Sequence, residues 1–176
     1  MFYLRSNNNL LLNSISSILN QKSSIFNTNG EANSFATISI SSNESALFIE
    51  TVNDKKKIST PLSITKLFEE IDSILTEIKI DFNNLAYVPV KQNLIYEKKS
   101  LVLGNIHNLI FSALLLHLKS GISKNNLYEM IWPVDKSYQI NKLDTHLTNL
   151  KNLINEKLGY QANFKTIEGK IYLISN

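Results

Sequence analysis

The chain has 176 residues, 43% of them hydrophobic and 19% charged, with a formal net charge of +3 and no cysteine. That length holds one ample domain or two small ones, and the composition is globular rather than disordered. The absence of thiols excludes disulfides and thiolate metal sites, in keeping with a reducing, cytoplasmic setting, and no secretory leader or bilayer-spanning apolar run is visible, so no membrane is expected as a partner.

Phe2 to Arg5 opens the chain as a short apolar strand candidate. Leu11, Leu12, Ile15, Ile18 and Leu19 recur at helical spacing and predict an amphipathic helix over 10–19. Residues 34–40 alternate, with Phe35, Thr37 and Ser39 on one face and Ala36, Ile38 and Ile40 on the other. A second β-rich run covers 46–52, and the intervening residues are too few for a helical crossover, so the two strands are expected to pair as a hairpin. Asp54 followed by Lys55, Lys56 and Lys57 reads as a solvent-facing turn. Ile58 leads into Thr60 and Pro61, and Pro61 stands near the start of a helix at about 63–79. Leu67, Ile71, Ile74, Leu75 and Ile78 give that helix its buried stripe.

A composition shift at 81–84 marks a boundary between domains 1–80 and 81–176. Charge divides there too: seven Lys/Arg against eight Asp/Glu in the first part, eleven against seven in the second. A mildly basic second half suits a polyanion partner. Three short strands are predicted at 85–88, 94–97 and 100–103, then a helix over 105–119 that buries Leu109 to Leu118 and ends at Gly121. Ser123 caps a helix over 124–132 that stops at Pro133. Gln139 or Asn141 opens a long helix striped by Ile140, Leu143, Leu147, Leu150 and Ile154, and a hairpin-like tail runs from Phe164 to Ile174. A short helix, a connection, a longer helix and a hairpin make the order of a winged helix-turn-helix, a module that usually binds duplex DNA.

Four groups of residues then stand in order: Ser123, Lys124 and Leu127 through Ile131, Trp132 and Pro133; Leu143 to Leu147 with Leu150 and Lys151; Lys165, Thr166, Ile167 and Gly169; and Tyr172 with Leu173. On these the chain resembles, over about 84–174, the OmpR/PhoB-type effector domain of bacterial response regulators. The resemblance implies a recognition helix at 140–156 in the major groove of double-stranded DNA, and a wing near Glu168 and Gly169 against the minor groove or backbone. It also implies RNA polymerase as a further partner. With the Leu stripe turned inward at about 100° per residue, Asn141, Lys142, Thr145, Thr148, Asn149 and Asn152 point away, and His146 and Lys151 flank them. The expected DNA-binding set is therefore Lys142, Thr145, His146, Thr148, Asn149, Lys151 and Asn152 from the helix, with Lys165, Thr166 and Lys170 from the wing.

The chain departs from the family where Thr148, Asn149 and Asn152 replace usual arginines, and where Glu168 replaces a basic wing residue. Asparagine can read adenine through N6 and N7, so this helix is suited to an A/T-rich site. The plainer alternative is that these asparagines reflect genome composition on a solvated face.

The N-terminal half resembles a response-regulator receiver in its opening strand and helix and in Thr60, Pro61 and Leu62 followed by Leu67, Phe68 and Ile71. Receivers need an acidic pair after the first strand for Mg²⁺ and an aspartate after the third to accept phosphate. Here the first strand runs into Arg5, Ser6 and Asn7, residues 38–45 hold no aspartate, and Thr60 replaces the lysine before Pro61. The reading is a degenerate, truncated receiver-like domain of α/β or α+β class, without a phosphoacceptor or bound Mg²⁺, serving as a homodimer contact.

Trp132 reads as a core anchor. His107 and His117 lie ten residues apart on nearly one helical face, with no third ligand, so no metal site is expected. No phosphate loop, nucleophile elbow or carboxylate pair is visible, so neither an enzyme nor a cofactor is expected. The sequence thus describes an α+β winged-helix DNA-binding regulator, an atypical response regulator working without Asp phosphorylation. The alternative is an adaptor whose winged helix serves as a protein-interaction module. A phosphate-responsive switch would need an acidic pocket assembled from distant residues.

Overall fold

Phe2 and Leu4 alternate with the exposed Arg5, and the alternation makes a strand with one face in the core. In the computed structural model, which describes residues 2–22, 26–27, 34–42, 46–50, 55–59, 63–134 and 139–174, this is β1 (Phe2–Ser6). The chain divides into two compact units, Met1–Ile78 and Lys79–Asn176.

In the first unit Asn8 starts helix α1 (Asn9–Lys22): its side-chain oxygen accepts the Leu11 N–H at 3.1 Å. Ile15 is fully buried from that helix, whereas Leu10 remains exposed. Strands β2 (Phe26–Asn27), β3 (Ala36–Ser42), β4 (Ala46–Glu50) and β5 (Lys55–Ser59) follow. The sheet order is β2-β1-β3-β4-β5. Strand β1 runs parallel to β2 and β3, while β4 is antiparallel to both β3 and β5. Two hairpin-type pairings therefore stand where an all-parallel doubly wound sheet would need crossover helices.

The expected β3–β4 hairpin is present. The lysine run is not a turn: residues 55–57 lie in β5, at the edge of the sheet, where Lys blunts further strand addition. Lys57 is exposed with its ammonium 6.0 Å from the Phe48 ring centroid, and Ile58 next to it is buried. Thr60, Pro61 and Asp54 lie outside the described residues. Helix α2 (Ile64–Thr76) begins at Ser63, whose hydroxyl accepts the Lys66 N–H at 3.2 Å. Its buried stripe is Leu67, Phe68, Ile71, Ile74 and Leu75; Ile78 lies beyond its end and is only half-buried.

The second unit opens with four strands, not three. Strands β6 (Ile80–Phe82), β7 (Leu85–Val88), β8 (Asn93–Tyr96) and β9 (Lys99–Val102) form an antiparallel meander in sequence order. Residues 81–84 are the end of β6 and its turn: Asn83 and Asn84 have φ of 47° and 65°, the left-handed pair that closes a tight hairpin. Helix α3 (Asn105–Leu116) buries Asn108 to Leu115. Tyr87 joins sheet to helix, its hydroxyl donating to Asn108 Oδ1 at 2.5 Å and sharing a hydrogen bond with Ser112 Oγ at 2.6 Å. Burial pushes the Tyr87 phenol well above its ordinary pKa.

Helix α3 ends sooner than its composition suggests, with His117 at its C-cap, and Gly121 closes a further turn through its N–H to the His117 carbonyl at 2.8 Å. Strand β10 (Ile122–Ser123) leads to α4 (Lys124–Ile131), capped by the Ser123 hydroxyl accepting the Asn126 N–H at 3.1 Å. Helix α5 (Ile140–Leu158) ends at Gly159, in the left-handed conformation with φ 74°. Strands β11 (Asn163–Ile167) and β12 (Lys170–Ile174) then form a hairpin, and β10 adds to it in the order β10-β12-β11. A four-stranded sheet, three helices and a terminal hairpin give this unit the winged-helix order. Among the described residues, no helix is long and apolar enough to cross a membrane.

Candidate nucleic-acid interface

The long helix α5 is amphipathic by sequence, and the structure fixes which side is which. Leu143, Leu147, Leu150, Ile154 and Leu158 are buried, at spacings of three and four residues. The side chain of Ile140, expected in this stripe, is outside what the structure describes. On the opposite face Asn141, Thr145, Thr148, Asn149, Asn152, Asn155 and Glu156 are all exposed, and Lys151 is exposed at the flank. The Thr145 hydroxyl donates to the Asn141 carbonyl at 2.8 Å and the Thr148 hydroxyl to the Asp144 carbonyl at 2.9 Å. Each hydroxyl oxygen retains lone pairs for a donor from outside, but its proton is committed to the helix. Asp144 at the edge of the face accepts from Lys124 Nζ at 2.6 Å, which pins α5 to α4 and offsets the carboxylate charge.

Two members of the expected set do not point away. Lys142 is half-buried, with its ammonium 4.2 Å from the Trp132 ring centroid and 5.9 Å from that of Tyr128. A cation over an indole face is held electrostatically, so Lys142 ties α5 to the end of α4. His146 is half-buried between two rings, 5.6 Å from Trp132 and 5.7 Å from His107 by centroids. Helical arithmetic puts Lys142 on the outer face and His146 at its flank, but the aromatic partners that draw them inward come from α3 and the end of α4. Trp132 is therefore the hub of this junction, packed also against the Tyr128 ring, tilted at 50° with centroids 4.7 Å apart. His107 pairs with His146 and not with His117, whose Nδ1 bonds the Ala113 carbonyl at 2.8 Å.

In the wing, Lys165, Thr166 and Lys170 are all exposed. Cross-strand partners share a face, so the pairs Lys165–Tyr172 and Ile167–Lys170 lie on one side of the hairpin. Thr166 pairs with the buried Ile171 and lies on the other. The structure thus brings Lys165 and Lys170 together and separates Thr166 from them. Lys170 Nζ also reaches the Ser120 carbonyl at 3.4 Å. Glu168 and Gly169 form the tip with φ of 49° and 75°.

Sequence reasoning missed Asn155. It shares the outer face and lines a surface groove with Lys151, Asn152, Gln161, Ala162 and Asn163 between α5 and β11. Extending the same angular count by one turn finds it. A second groove, along Asn141, Asp144, Thr145, Thr148 and Asn149, covers the N-terminal half of the face. Among the described residues, no group of three or more metal-ligating side chains is placed to hold an ion.

No protein-family model matches the chain, and no curated protein matches it. Among solved structures the chain is similar to the C-terminal domain of the nisin resistance regulator NsrR, a lantibiotic response regulator. There the identity is 27% over 55% of this chain and 96% of that one, with a TM-score of 0.45. It is similar also to the DNA-binding domain of CpxR from E. coli, at 19% identity over 56% of this chain and 98% of that domain, with a TM-score of 0.47. A third is a streptococcal redox sensor described as evolved from two-component response regulators, at 17% identity with a TM-score of 0.47. That match spans 68% of this chain and 57% of the sensor.

Proposed function

We propose that the chain is a bacterial transcriptional regulator of the OmpR/PhoB winged-helix type that binds double-stranded DNA through α5 and the β11–β12 wing. The observation that supports this best is the outer face of α5, where six Asn and Thr side chains are exposed opposite a continuous buried stripe, with Lys151 exposed at the flank. Thr145, Thr148, Asn149 and Asn152 face the bases, and Asn149 and Asn152 are the residues suited to adenine. Lys151, Lys165 and Lys170 supply phosphate contacts, and Thr166 adds one from the opposite side of the wing. Lys142 and His146 act from behind, by holding α5 on Trp132.

The first unit is proposed as a receiver-like dimerisation domain that works without phosphorylation. Its sheet has the flavodoxin-like strand order, with β4 reversed, and its first strand ends in Arg5 and Ser6 where a Mg²⁺ site would need carboxylates. Arg5 Nε instead donates to Ser39 Oγ on β3 at 2.6 Å.

The test is a gel shift on A/T-rich duplex with the Lys151→Glu, Lys170→Glu double variant. Binding by the parent chain and its loss in the variant is the expected result; equal affinity of the two would count against this geometry. A specific observation favours one rival, a protein-interaction module: Glu156 and Glu168 are exposed on the same helix face and wing. That reading requires no duplex binding at physiological salt.

A further inference from the structure

The packing behind α5 holds a feature that DNA reading does not use. His107, in the first turn of α3, meets His146 of α5 with ring planes at 74° and centroids 5.7 Å apart. Its Nε2 is buried and, among the described residues, has no hydrogen-bond partner. The two imidazoles line one recess with Gly104, Asn105 and Ile106. From α5, the titratable groups on this side are His146 itself and Lys142, whose ammonium lies over the neighbouring Trp132. From α4 come the rings of Tyr128 and Trp132; its Glu129 is exposed, and its Lys124 is engaged by Asp144. Asp144 precedes His146 by two residues, which places it on the opposite flank of α5. Helix α3 adds the partial positive charge of its own N-terminus, with no acidic residue in its first turn. Among the described residues, neither imidazole has a carboxylate partner.

A second proton on His107 would therefore sit on a buried nitrogen that has no acceptor among the described residues, beside another imidazole and at the positive end of a helix. We propose that the His107–His146 contact is a proton-sensitive latch that seats α5 on α3, closed while the His107 ring is neutral and opened when that ring takes up a proton. Burial, and after it the neighbouring His146, hold the His107 pKa below the ordinary imidazole value. The unfolded chain binds that proton at about pH 6.5, and the folded chain resists it. The latch thus contributes in full above about pH 6.5 and is lost progressively as pH falls below it. Its effect on DNA rests on the function proposed above: if α5 reads the duplex, acid weakens binding by loosening the helix.

The experiment is thermal unfolding of the full chain from about pH 8 down to about pH 5.5, compared with His107→Gln and His146→Gln. The expected result is an acid-induced fall in Tm that is clearly larger in the parent than in either variant. Equal falls in all three would overturn the latch. Proton NMR of the parent chain keeps the proposal open to refutation should a variant fail to fold. The His107 ring should titrate below the ordinary imidazole range, and a midpoint at about 6.5 would overturn it. Duplex binding is followed over the same range. Binding that strengthens in acid overturns the coupling to α5, whereas no binding at any pH refutes the DNA reading and leaves the melting curves to decide the latch.

Discussion

At the scale of single residues, two glycines with nearly the same backbone angle are under different constraints. Gly121 has φ +63°, and a Cβ built there would lie 2.5 Å from Cζ of Tyr172. Gly159 has φ +74°, but a Cβ there meets only the Lys99 ammonium at 3.6 Å, an ordinary contact. Both substitutions to Ala incur the left-handed strain, about 1–2 kcal/mol. Only Gly121→Ala must also move the Tyr172 ring, whose hydroxyl donates to the Ser120 carbonyl at 3.3 Å. Chemical denaturation should accordingly show Gly121→Ala as the more damaging change, by about a further 1 kcal/mol for the displaced ring and its bond. Equal losses would mean that Tyr172 swings away freely.

At the scale of an element, the proposed role of α5 would separate stability from binding along one helix. Leu150 is fully buried, and truncation to Ala should cost about 2–5 kcal/mol. Asn149, its neighbour, is exposed, so Asn149→Ala should change stability by no more than about 0.5 kcal/mol. Gel shifts should show the reverse order once Leu150→Ala is assayed below its melting temperature, with Asn149→Ala the weaker binder. An Asn149→Ala protein with full affinity and full stability would remove that residue from the interface. The Leu spacing made this division legible in the sequence, because a period of 3.6 residues is a local property. What was illegible depended on partners elsewhere in the chain. Lys142 and His146 turn inward only because Trp132 and His107 arrive from other helices. Strand β6 has three residues, too few to show alternation, and β5 was hidden by lysines tolerated at the edge of a sheet.

At the scale of the molecule, charge limits how the proposed regulator could hold DNA. Residues 79–176 carry twelve Lys/Arg against seven Asp/Glu, and residues 1–78 carry six against eight, so the basic excess belongs to the second unit alone. Within it few of the cations lie on the candidate interface: Lys151, Lys165 and Lys170 are exposed there, while Lys142 is stacked on Trp132 and Lys124 is paired with Asp144. Each phosphate neutralised contributes about −0.9 to the slope of log affinity against log salt. Three contacts give about −3 for one protomer, and a dimer on two half-sites about −5 to −6. The slope measured by fluorescence anisotropy between about 50 and about 200 mM salt should fall at one of these values, and the Lys170→Glu variant should lower it by about one per protomer. A slope much steeper than −6 would require cations other than these, and the proposed face of α5 would then be the wrong one.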